Sequence, residues 1–175
     1  MSLSIVMVTL SLEIDGSLIF LNGLNMRRIV LMLIVLLIAV SYSKAQSVED
    51  SVKTTVNRLF EGMIKSDPTL LKATFADSAI LQTIGSNKEG KVIIRNESVD
   101  DFAVSIGKLE KGSADERIEF GTIRIDGPLA IVWAPYKFYY KGKFSHCGVD
   151  SFQLVRVNGE WKIQYLIDTR RKECD

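Results

Sequence analysis

From Ser47 onward, apolar positions recur every three to four residues: Val48, Val52, Val56, Leu59, Phe60, Met63 and Ile64. That spacing lines one face of an α-helix, and Ser47 is a suitable cap for its start. Ser66-Asp67-Pro68 ends this helix and begins a second, because proline fits a first helical turn. Leu70, Leu71, Ala73, Thr74 and Phe75 continue it briefly. Residues 79–84 read as a strand, 85–90 as a turn and 91–95 as a short return strand. Phe102, Ile106 and Leu109 fall on one side of a third helix over 98–109, followed by a loop at 111–115.

The period then changes from helical to alternating. Residues 116–125 set Ile118, Phe120, Thr122 and Arg124 against Glu119, Gly121, Ile123 and Ile125, the pattern of one strand with two faces. Asp126-Gly127, Lys141-Gly142 and Asn158-Gly159 are hairpin turns. They bound long strands over 129–140, 144–157 and 160–169. Helices grouped ahead of a meander imply an α+β fold. The expected form is a cone-shaped, strongly curved antiparallel sheet packed against three N-terminal helices, with a pocket between them.

The first 45 residues follow neither pattern. Arg27 and Arg28 precede an unbroken apolar run over 29–40, and small residues at Ser43 and Ala45 suit signal peptidase. The run is too short for a membrane span and reads as a signal peptide that starts at Met26 and is cut after Ala45. Residues 1–25 are then an upstream extension. The expected product is a single domain over 46–175, periplasmic or secreted, with no membrane attachment after cleavage. Whole-chain charge is +1. Removing Arg27, Arg28 and Lys44 together with Glu13 and Asp15 balances it. No basic block remains, which argues against nucleic acid as a partner.

Candidate chemistry centres on "KFSHCGVDSF", residues 143–152, which hold the only histidine and one of two cysteines. Hairpins fix register. Regular pairing from the turns puts Trp133, Lys137, Tyr139, His146, Asp150, Phe152, Leu154, Trp161, Ile163, Tyr165 and Ile167 on one face. Cys147, Ser151, Gln153, Lys162, Gln164 and Asp168 take the other. The first face is mostly apolar and aromatic, so it is the expected pocket face. His146 and Asp150 are then candidate acid–base residues about 13 Å apart along one strand, a gap that a bulge near Gly148 would shorten. Trp133, Lys137, Tyr139, Phe152 and Tyr165 are candidate ligand contacts around a flat ring. Asp168 is assigned outward, and Arg170-Arg171 reads as a solvated strand end. Adjacent strand residues point apart, so a His146–Cys147 catalytic pair is disfavoured. One histidine, one cysteine and one aspartate on a single strand match no zinc spacing, and no metal or cofactor is expected. Regular register sets Cys147 opposite Arg170 rather than Cys174. A fold-back of the tail would bring the two cysteines together, and pairing stays open.

Trp133-Ala-Pro-Tyr136, Ser145-His-Cys-Gly148, Trp161-Lys-Ile163 and Asp168-Thr-Arg-Arg171 resemble the nuclear transport factor 2-like superfamily. The narrower resemblance is to its secreted bacterial branch, described as putative lumazine-binding, and it covers residues 46–175. The resemblance implies a sheet cone closed by helices, often dimeric through the outer sheet face. The superfamily includes ketosteroid isomerase, scytalone dehydratase, polyketide cyclases and non-catalytic binding modules, so fold alone does not select a function. The expectation is an exported domain binding a small hydrophobic ring, lumazine-like or pterin-like. The alternatives are an isomerase, dehydratase or cyclase working through His146 and Asp150, and a non-catalytic dimeric interaction protein.

Overall fold

The computed structural model describes residues 26–174, and the chain divides into two compact units between Ser41 and Tyr42. The expected extension over 1–25 lies outside the described residues. Helix α1 (Met26–Lys65) runs through Ser47 rather than starting there. Residues 41–47 contain neither proline nor glycine, so nothing breaks the helix at that point. Among the described residues no helix is long and apolar enough to cross a membrane.

Within the second unit, the apolar stripe on α1 buries Val52, Val56, Leu59 and Met63, while Ile64 stays exposed. Asp67 caps α2 (Pro68–Lys72), its Oδ1 accepting the N–H groups of Thr69 and Leu70 at 3.0 and 2.9 Å. Ser98 caps α3 (Val99–Gly107), its Oγ accepting the Asp101 N–H at 3.0 Å. Both caps satisfy N–H groups that the first helical turn leaves open.

The strands are β1 (Phe75–Ser86), β2 (Val92–Glu97), β3 (Ala114–Ile118), β4 (Thr122–Asp126), β5 (Leu129–Tyr140), β6 (Lys143–Val157) and β7 (Glu160–Thr169). They form one sheet in the order β2-β1-β7-β6-β5-β3, with β4 also on β5. β1 pairs with β7 in parallel, so the sheet is mixed rather than wholly antiparallel. The single strand expected over 116–125 is two. Glu119 to Gly121 interrupt it opposite Pro135, which has no N–H to donate.

The hairpins at Lys141-Gly142 and Asn158-Gly159 form as expected, with Lys141 and Asn158 at positive φ. Register holds beside each turn and then slips by one. In β5–β6, Tyr139 pairs with Phe144 but Phe138 pairs with His146, leaving Ser145 as the extra residue. In β6–β7, Leu154 pairs with Ile163 but Gln153 pairs with Tyr165, leaving Gln164 extra. The core lies between α1 and the sheet, where Phe60 meets Phe152 edge-on at 6.3 Å.

Candidate functional site

Beneath the helices the sheet borders a cavity of about 310 Å³. α1 contributes Leu59, Phe60 and Met63, and α3 contributes Phe102, Ile106 and Leu109. Phe138 and Leu166 complete its apolar wall from the sheet. Ser105 borders the cavity yet is exposed, which places it at the mouth. This size and lining suit a small ligand held mainly by apolar contact.

The polar groups come from the strands. Pairing across the sheet sets Ala134, Asp150, Asp168 and Thr83 in one row, and Glu116, Phe138 and His146 in another. Asp150 is 3 % exposed and Asp168 is 8 % exposed. Asp168 Oδ2 accepts from Arg170 Nε at 2.9 Å and from the Tyr136 hydroxyl at 3.2 Å. Arg170 Nη2 also donates to Thr83 Oγ1 at 3.3 Å. The Tyr136 hydroxyl donates to the Thr169 carbonyl at 2.9 Å as well. Gly148 makes this reach possible. A Cβ there would lie 2.8 Å from the Tyr136 ring and 1.8 Å from the Thr169 oxygen.

The carboxyls of Glu116 and Asp150 interact, and neighbouring carboxyls hold a proton that a lone one would lose. Burial pushes Glu116 up to about 7, although part of its surface still faces the cavity. Burial, reinforced by the neighbouring Glu116, pushes Asp150 well above the usual carboxylate range. Among the described residues no N–H or hydroxyl group donates to Asp150 Oδ2, which is fully buried. Burial, then Arg170, hold His146 below its usual value, so its ring is neutral at pH 7. The ring packs on Phe138 at 5.0 Å and edge-on to Tyr136 at 5.7 Å, and its Nδ1 lies 3.1 Å from Ser145 Oγ. Tyr136 is also raised, chiefly by burial, and stays a neutral donor.

Of the residues expected at the site, His146 and Asp150 border the cavity. Phe152 faces the same side but is sealed in the core, 0 % exposed. Trp133, Lys137 and Tyr139 are corrections. The Ser145 bulge turns Ala134, Tyr136 and Phe138 inward, and Trp133 is left 51 % exposed. Tyr139 instead stacks under Arg117 at 4.4 Å. Tyr165 and Ile167 also leave the pocket face, because the Gln164 bulge brings Leu166 and Asp168 to it. The Tyr165 hydroxyl donates to Gln82 Oε1 at 2.6 Å. The outward assignment of Asp168 falls with the same register slip, whereas Arg170 borders the cavity with its side chain still 52 % exposed, in keeping with a solvated strand end.

Glu116 escaped the sequence reading altogether. Its signal was parity: it shares the alternation of Ile118 and Phe120, so a carboxylate stood on an apolar face. The cysteines do pair. The tail folds back so that Cys147 exchanges both backbone hydrogen bonds with Arg171, at 2.9 and 2.8 Å. Cys174 then reaches Cys147, with a Cα separation of 6.1 Å.

The family described as "Putative lumazine-binding" matches residues 47–165. No curated protein matches the chain. Solved structures do. A nuclear transport factor 2-like protein of unknown function from Shewanella baltica OS155 is 17% identical, with TM-score 0.57 over 73% of this chain and 96% of that one. One from Silicibacter pomeroyi DSS-3 is 16% identical, with TM-score 0.58 over 73% and 98%. A protein of unknown function with a cystatin-like fold from Nostoc punctiforme PCC 73102 is 13% identical, with TM-score 0.56 over 70% and 90%. At these identities the likeness establishes the fold.

Proposed function

Since the chain belongs to the "Putative lumazine-binding" family of the nuclear transport factor 2-like superfamily, we propose that its cavity binds a small flat ring compound, lumazine or a pterin among them. The observation that carries this is a cavity of about 310 Å³ whose helix side is lined mainly by apolar side chains and whose strand side brings hydrogen-bonding groups. Apolar walls supply affinity for the ring faces, and the polar groups fix orientation. Thermal-shift measurements with lumazine and pterin test it. A rise in Tm is expected, and Ser105→Trp, which obstructs the mouth, removes it. No rise with any ring compound, in a protein that still unfolds cooperatively, overturns the reading.

Acid–base catalysis is the second reading, and the Glu116–Asp150 pair favours it. A carboxyl that titrates near 7 suits a general acid or base at neutral pH. In this version Glu116 replaces His146 as the partner of Asp150. Turnover of an unsaturated ketone that is lost in both Glu116→Gln and Asp150→Asn supports it; turnover that survives both removes it.

Export belongs to the same proposal. It is supported by Arg27 and Arg28 ahead of the apolar run, and by the Cys147–Cys174 bond, a linkage that persists in oxidising compartments. The division between Ser41 and Tyr42 lies close to the expected cut after Ala45. Intact-mass analysis of protein recovered from the periplasm or medium is expected to give a chain starting at Gln46. A chain that retains residues 26–45 there overturns the cleavage.

A further inference from the structure

The sheet ends on β2, and among the described residues β2 pairs only with β1. Its six residues run opposite β1 without a register shift and contain no proline. Sheet edges are commonly blunted by a proline, a bulge or an interruption, because a straight open edge recruits another strand. The far side of this sheet is interrupted in that way, between β3 and β4 opposite Pro135. On β2 none of these devices is present, and its charges, on Arg95 and Glu97, are of both signs.

The β1–β2 hairpin decides which backbone groups lie open. The Asn87 N–H donates to the Lys91 carbonyl at 2.9 Å, so Lys91 turns its backbone toward β1. That orientation alternates along an antiparallel pair. Ile93, Arg95 and Glu97 therefore turn toward β1, while Val92, Ile94 and Asn96 present N–H and C=O to the open side. The side chains beside this edge form an apolar strip. Val92 is 73 % exposed and Ile94 60 %, with Ile80 of β1 exposed on the same face.

Charge selects what fits there. Two copies of β2 related by a two-fold axis run antiparallel, and each register sets one residue against itself. Centred on Ile93, the pairing opposes Lys91 to Arg95. Centred on Arg95, it opposes two guanidiniums. Registers nearer either end pair fewer residues, because Gly90 at positive φ and the start of α3 end the extended backbone. Centred on Ile94, the pairing sets Lys91 opposite Glu97 on both sides of the axis and Ile94 against Ile94. Opposite charges across a strand pair stabilise it and like charges oppose it. In this register the open groups of Ile94, and those of Val92 and Asn96, exchange hydrogen bonds.

We propose that β2 is a self-association edge through which two copies of this chain join their sheets, antiparallel and centred on Ile94. Glu97 borders the cavity, so Lys91 of the second copy adds a cation at its rim. The contact is only six residues a side, so dimerisation depends on concentration.

Sedimentation velocity of the full 175-residue chain over a concentration series tests it. A monomer–dimer equilibrium is expected. Ile94→Pro removes one outward N–H and no bond to β1, so it is expected to keep the fold and abolish the dimer. Lys91→Glu is expected to weaken dimerisation about tenfold, because it opposes like charges at two places. Combining Lys91→Glu with Glu97→Lys restores both pairs and is expected to recover the wild-type dissociation constant. The charge variants keep every backbone bond, so they decide the matter even if Ile94→Pro fails to fold. A wild type that stays monomeric at every concentration overturns the proposal. So does a dimer that survives Ile94→Pro in a folded chain, which then uses another surface, or a double variant as weak as Lys91→Glu alone.

Discussion

At the residue scale, two positions carry most of the site's construction. Gly148 leaves room for the Tyr136 ring and for β7, and any side chain there collides with the Thr169 carbonyl. Gly148→Ala is therefore expected to destabilise the fold by about 3 kcal/mol or more, measured by urea unfolding. Glu116 governs pH dependence. Its folded affinity for a proton is raised, so its contribution is fully present below the unfolded value of 4.5 and is lost as pH climbs to about 7. The full window corresponds to roughly 3 kcal/mol for Glu116. Stability is expected to fall across that range in the wild type and to lose this slope in Glu116→Gln. His146, lowered by burial, acts with the opposite sign below 6.5, where charging it opposes folding. Its half-exposed ring makes that slope the smaller one.

At the element scale, the C-terminal tail is fixed by its own short pairing. Cys147 and Arg171 exchange backbone hydrogen bonds, and the bond to Cys174 closes a loop with a sequence separation of 27. A loop of this span stabilises by roughly 3 kcal/mol through restriction of the unfolded chain. Cys174→Ser, or reduction of the wild type, is expected to lower Tm, and reduction of the variant to change nothing further. Arg170 sits between β7 and this bridge, so the tail also holds in place a guanidinium that borders the cavity.

At the scale of the whole molecule, the described residues place the buried apolar core at Val52 and beyond. A chain starting at Gln46 is therefore expected to fold by itself and to unfold at the same Tm as the full chain. A large loss of stability on removing residues 1–45 would show that this segment contributes to the core.

The local code carried much of this fold. Hairpin turns at Lys141-Gly142 and Asn158-Gly159 need only their own residues to adopt positive φ, and β5 and β7 begin and end where alternation places them. The inward positions of His146, Asp150, Phe152, Leu154, Trp161 and Ile163 followed from parity near those turns. Parity has a period of two, so one inserted residue inverts everything beyond it. The bulges at Ser145 and Gln164 did that. They exchanged Tyr139 and Lys137 for Phe138 and Tyr136, and Tyr165 and Ile167 for Leu166 and Asp168. Nothing in the residues beside a bulge marks it, because what it relieves is the fit of a whole sheet over helices distant in sequence. The Glu116–Asp150 pair has the same origin. Its members lie on β3 and β6, two strands apart, and a close approach between such positions exists only once the sheet is assembled. Length, turns and period thus prescribed the elements and their order, while assembly of the sheet chose which side chains meet in the cavity.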